Sequence, residues 1–132
     1  MDTAVTLLNR FMLGLCIWRE ARGETARGRR LVGAVIRNRL GDPRWPREKN
    51  YVDVVLAPFQ FSSFNLNDPN VAKYPEPEDG AWPDCVAAAD DTFAAATPMT
   101  TANHYHVAGL DPKWRDATKI VAVEGSHIFY CL

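Results

Sequence analysis

The sequence predicts one α+β domain, mainly helical, with a small antiparallel sheet late in the chain. Three observations carry this expectation. Apolar residues recur at helical spacing in three separate stretches before Ala96. After that point the pattern turns extended, and Glu124-Gly125-Ser126 divides two short apolar runs as a hairpin corner would. The chain has 132 residues, which suits a single domain over 1–132 and allows roughly two-thirds of the unfolded surface to be buried. No internal repeat, low-complexity tract or linker interrupts it.

The elements follow in order. Asp2 or Thr3 can cap a first helix that runs to about Arg22, with Ala4, Leu7, Leu8, Phe11, Leu15 and Trp18 on its main stripe. Its second half, Phe11 to Trp18, is apolar all round and calls for neighbours on every side. Gly23 suits the position just past the helix end. Thr25 offers the next N-cap, for a helix from Ala26 to about Leu40 with Leu31, Ala34, Val35 and Asn38 at helical spacing, ended by Gly41-Asp42-Pro43. So short a turn makes the two helices packing neighbours and holds the Gly23–Glu24 corner between them. Val52 to Leu56 fits either a strand or a short helix. Phe59-Gln60-Phe61-Ser62 alternates like a strand, and Asn65 to Pro83 is loop-like. Pro83 suits the start of a third helix reaching about Ala96, with Val86, Ala89 or Asp90, and Phe93 spaced around it. Ala102 to Val107 looks extended, and Ile120 to Tyr130 forms the closing hairpin.

Composition excludes several classes of function. Fifteen Lys and Arg against sixteen Asp and Glu give a net charge of −1, which argues against a nucleic-acid binder working through a strong basic field. No stretch has the roughly 18 consecutive apolar residues of a membrane span. Cys16, Cys85 and Cys131 lack metal-like spacing and are expected as small buried hydrophobes. Met1-Asp2-Thr3-Ala4 carries no basic segment ahead of its apolar run, so a cleaved signal peptide is not expected. The expectation is a protein made in the cytoplasm, monomeric, without membrane insertion.

The residue around which chemistry can be built is Glu20. It falls in the last turn of the first helix, where exposed carbonyls favour a neutral acid over a carboxylate. Ile17 and Cys16 share its face, and desolvation by them pushes the same way. A carboxyl group kept protonated near neutral pH is what a general acid for glycoside cleavage requires. The other possibility is a surface Glu at a fraying helix end. His104-x-His106 with the distant His127 invites a zinc reading, since two imidazoles two apart on a strand share a face. No H-E-x-x-H or second ligand cluster accompanies them, and no metal or other cofactor is expected.

Taken together, these stretches resemble the bacterial and phage cell-wall hydrolase family that includes the spore cortex-lytic enzymes. The resemblance runs from about Leu13 to Tyr130. It is carried by Glu20-Ala21-Arg22-Gly23-Glu24, Gly28, Ala34-Val35-Ile36-Arg37-Asn38-Arg39, Gln60-Phe61-Ser62, Asn103-His104-Tyr105, Pro112, Trp114 and His127-Ile128-Phe129-Tyr130. Thr25 and Arg29 stand where the family usually has Pro and Gln. The resemblance implies a lysozyme-like fold of the goose-type, lytic transglycosylase kind. It implies cleavage of the β-1,4 bond between N-acetylmuramic acid and N-acetylglucosamine in peptidoglycan by a lytic transglycosylase or a muramidase, with Glu20 as general acid and, in the transglycosylase, then base.

On that footing Gln60 and Ser62, two apart in an extended segment, are expected to hydrogen-bond a sugar, and Tyr105, Trp114 and Tyr130 to stack on sugar faces. Glu24 is expected to be a structural acid beside the second helix, Arg22 and Arg39 to pair with Glu24 or Asp residues, and Asn38 to tie the second helix to the catalytic turn. His104 and His127 are expected as hydrogen-bonding core or cleft residues. The isolated domain suits a phage endolysin or a particle-borne enzyme acting on the wall. The competing functions are a zinc-dependent wall amidase or peptidase and a non-catalytic wall-binding or virion structural protein.

Overall fold

The computed structural model describes residues 3–57 and 60–132 and, within these, every side chain except that of Ser62. Capping of the first helix by Asp2 therefore lies outside the described residues. Thr3 does cap it, accepting from the Thr6 N–H, and α1 runs Ala4–Ala21. Thr25 caps α2, Ala26–Arg39, in the same way through the Gly28 N–H. The run after Asn50 resolves as a helix, α3, Tyr51–Leu56, with Asn50 as its cap. The fourth helix, α4, spans Ala81–Ala94. The sheet has β1, His104–Val107, β2, Ile120–Glu124, and β3, His127–Tyr130. β3 is central and antiparallel to both neighbours, in the order β1-β3-β2.

α1 is the central post, packed against α4, α3 and α2. Leu13 to Trp18 are all buried, as an all-round apolar helix requires, and they meet Leu31, Val35, Ile36, Val54, Val55 and Phe129 in one core. Four of the six residues of the expected stripe do not join it: Ala4, Leu7, Leu8 and Phe11 are exposed, and in the N-terminal half of α1 only Asn9 is buried. Asn9 earns that place by donating to the Val5 carbonyl and accepting from the Val52 N–H, which docks the start of α3. On α4 the buried face is Cys85, Ala88, Ala89 and Thr92, and Phe93 is exposed. Small residues there let α1 and α4 approach closely: a Cβ on Gly14 would already touch the Trp82 ring.

Of the strand expected over Phe59 to Ser62, Phe59 lies outside the described residues, and Gln60 to Ser62 follow turns instead. Ser62–Phe64 is a 3-10 turn, and Pro69–Ala72 is another. Arg19 gathers the backbone that follows: its guanidinium donates to the carbonyls of Ser63, Val71 and Lys73 and lies over the rings of Phe64 and Tyr74. Among the described residues no helix is long and apolar enough to cross a membrane.

Candidate active site

α1 ends with Arg22 as its cap, so Glu20 does sit in the final turn. Gly23 completes the corner without the left-handed backbone often seen past a helix end, since positive φ occurs at Gly41, Gly109 and Gly125 instead. Glu20 stands above buried Cys16 and Ile17 at the edge of the core. Tyr105, on β1, donates its hydroxyl to Glu20 Oε1 at 2.7 Å. The Ser63 hydroxyl, buried and without a hydrogen bond of good geometry, also approaches the carboxyl. Desolvation raises the Glu20 pKa, Tyr105 and Ser63 oppose the rise, and the negative charge of Asp68 adds to it. The net direction is upward, toward a protonated acid. Burial, and then the adjacent Glu20 charge, hold the Tyr105 phenol far above its ordinary range, so it remains a donor.

Tyr105 is thus not a sugar platform. Its ring packs against His127 and Phe129, which share its face of the sheet. Tyr130 is fully buried, its hydroxyl bonded to His106 Nε2 at 2.7 Å and accepting from Arg115, and it too has no face left for a ligand. Trp114 is 38% exposed beside His104, His106 and Tyr130 and keeps its expected availability. Gln60 is in a turn, not a strand, with its side-chain carbonyl accepting from Arg39 at 3.0 Å. The shared-face argument for Gln60 and Ser62 therefore fails, and the Ser62 side chain lies outside the described residues.

The supporting residues are rearranged relative to expectation. Glu24 is engaged within the protein: its Oε1 accepts from the Ser126 N–H at 2.8 Å and lies 3.6 Å from His127 Nδ1. Burial works to raise the Glu24 pKa, but Ser126 and His127 outweigh it and hold the group below the ordinary carboxylate range. Arg22 and Arg39 pair with no carboxylate among the described contacts. Arg22 folds back on Trp18, donating to its carbonyl and covering its ring. Arg39, only 5% exposed, donates to the Asn103 carbonyl and to Gln60, between the Trp45 and Phe61 rings. Asn38 ties α2 to the Thr100 and Ala102 carbonyls ahead of β1, not to the catalytic turn. His104 Nδ1 bonds Asn103, and burial with Arg39 and Arg44 nearby brings its pKa down to about 4.

The three histidines do not converge. His104 and His106 project toward Trp114, whereas His127 lies on the other face with Tyr105. Both ring nitrogens of His106 are already engaged, by Val107 and Tyr130. That arrangement does not fit the zinc amidase or peptidase reading, and among the described residues no three His, Cys, Asp or Glu are grouped to hold a metal.

Ser63, Asp68 and Arg19 escaped the sequence reading. Ser63 and Asp68 are far from Glu20 in the chain, and only the run of Asn, Asp and Pro from Asn65 marked a longer loop of the kind that tends to serve function. Arg19 stands next to Glu20 on α1, with nothing in the sequence to show which carbonyls it gathers.

A family model described as Cell Wall Hydrolase matches residues 23–130. The chain belongs to the cell wall hydrolase family. No curated protein matches it. The fold is similar to the catalytic domain of the germination-specific lytic transglycosylase SleB from Bacillus anthracis, at 23% identity over 98% of this chain and 99% of that one, with a TM-score of 0.74. It is also similar to the catalytic domain of the Bacillus cereus SleB protein, at 25% identity over 93% and 90% of the two chains, with a TM-score of 0.68. For a cell wall hydrolase of this fold, the Glu20–Tyr105 pair is where an acid and its orienting donor come together.

Proposed function

We propose that this cell wall hydrolase cuts the glycan strand of peptidoglycan at the β-1,4 bond from N-acetylmuramic acid to N-acetylglucosamine, as a lytic transglycosylase. The observation that carries the proposal is the desolvated Glu20 carboxyl with one oxygen held by the Tyr105 phenol. The likeness to a SleB catalytic domain described as a lytic transglycosylase supports the reaction class.

Tyr105 on Oε1 leaves Oε2 to carry the proton. Glu20 passes that proton to the bridging oxygen as the C1–O bond breaks, and positive charge develops on C1 and the ring oxygen. The C6 hydroxyl of the same muramoyl sugar then attacks C1, and its proton returns to Glu20. The product is a 1,6-anhydro end, and the acid is regenerated. One carboxyl serves both steps, which suits a site in which Glu24 is already committed to Ser126 and His127.

Digestion of purified sacculi followed by mass spectrometry tests this. Wild type should release muropeptides with anhydro ends, and Glu20→Gln should lose about 10²–10⁴-fold of the rate. Reducing ends would convert the assignment to a muramidase. Full activity in Glu20→Gln would end it.

A further inference from the structure

Against Arg39 lies an aromatic group that the cleavage chemistry does not use. Trp45 is partly exposed in the loop after α2. Its ring is pinned by the Arg39 guanidinium at 5.1 Å, by the Arg44 guanidinium at 4.8 Å and by the edge of His104 at 5.7 Å. His104 in turn meets exposed Trp114 at 5.0 Å, so two indoles flank one imidazole along the edge of β1. Arg44 is fixed to Asp42 by two hydrogen bonds at 3.1 and 2.9 Å.

Trp45 lines a depression of about 370 Å³ with Asp42, Pro43, Pro46 and Glu48. A second, of about 590 Å³, opens beside it around Asp42, Arg44, Thr100 and Asn103. Both fall within the ~300–1,000 Å³ of small-ligand sites.

We infer that Trp45, with Asp42, Arg44 and Glu48 beside it and Trp114 across His104, forms a saccharide subsite for N-acetylated sugars of the glycan strand. The chemistry matches. A pyranose presents a face of C–H bonds carrying slight positive charge, and the indole face carries the complementary negative quadrupole. The rim of the ring presents hydroxyls, which paired carboxylates and guanidinium groups bind by charge-assisted hydrogen bonds. Trp45 is held before any ligand arrives, so little side-chain entropy is left to lose on binding. His104 stays uncharged at neutral pH and adds a second flat surface without repelling Arg44. Arg39 lies between the subsite and the cleavage centre: its guanidinium covers Trp45 and its charge acts on the Tyr105 phenol.

The choice of a glycan as occupant rests on the cleavage role of Glu20, but its test does not. The probe is an oligomer of β-1,4-linked N-acetylglucosamine, titrated into the Glu20→Gln protein while the indole N–H signals of its four tryptophans are followed by NMR. Trp45 and Trp114 should shift and saturate together. Trp18, which is buried and bonded to Asp79, and Trp82, which packs on Phe11, should stay still. On sacculi, Trp45→Ala should raise KM by about five- to tenfold with a smaller change in kcat, and Trp45→Phe should recover most of the loss. A titration in which Trp45 does not move overturns the subsite, as does a Trp45→Ala protein that binds the oligomer like its parent. Equal activity of wild type and Glu20→Gln would instead sink the cleavage chemistry, and the titration would still decide the subsite.

Discussion

Replacing Tyr105 with Phe removes one hydroxyl and leaves the ring against His127 and Phe129. The lost contact is the 2.7 Å bond to Glu20 Oε1. A hydrogen bond to an ionised carboxylate contributes about 1.5–3 kcal/mol and one to the neutral acid about 0.5–1.5 kcal/mol, so the phenol favours the ionised form by roughly 1 kcal/mol. Without it the Glu20 ionisation equilibrium should move about fivefold toward the protonated acid. Tyr105 opposes the desolvation that raises this pKa, so the direction of the shift is upward. The assay is a pH profile of kcat/KM on sacculi for wild type and Tyr105→Phe. The limb on which activity falls as Glu20 ionises should move to higher pH. The plateau should drop by about tenfold, because the carboxyl is no longer held in one orientation. A limb that stays put, or moves to lower pH, refutes the assignment of Glu20 as the titrating acid held by Tyr105.

Two further outcomes follow from the same electrostatics. Glu20 binds its proton more tightly folded than unfolded, so the folded state loses stability as pH rises from the ordinary carboxylate range through the raised pKa. Glu20→Gln should therefore melt higher than wild type at pH 8, with the difference vanishing in acid, as calorimetry can measure; an unchanged difference across pH would remove the desolvated acid. Glu24 has the opposite sign, with stability present above its unfolded pKa and lost as pH falls through the depressed folded one. Glu24→Ala should melt about 4–8 °C lower at pH 7 through the lost Ser126 bond, yet still cleave sacculi at 25 °C. A loss as large as that of Glu20→Gln would make Glu24 a second catalytic carboxylate.

The helices were legible because a cap and a stripe act locally. Thr25 announces α2 whatever surrounds it, and Leu31, Ala34 and Val35 of its stripe are buried, with Asn38 only partly so. The aromatics were harder, since an exposed platform and a buried anchor are the same residue type. Tyr130 became core because His106 and Arg115 satisfy its hydroxyl, and Tyr105 became a donor because Glu20 lies opposite. The turns after Gln60 were illegible for a different reason: the cation that gathers their carbonyls, Arg19, sits more than forty residues upstream. Glu20 itself could be picked out, but its surroundings, Ser63 and Asp68, are brought in by that distant clamp.

Almost every bond that completes the centre joins opposite ends of the polypeptide. The separation is 85 residues for Tyr105 and Glu20, and 102 for Ser126 and Glu24. Such contacts close late, after the local helices have formed. During synthesis the acid leaves the ribosome long before its phenol, and the hairpin that braces the corner comes last. A chain that stops short of β1 therefore carries the acid without its phenol, and one that stops short of Ser126 leaves Glu24 without its backbone donor.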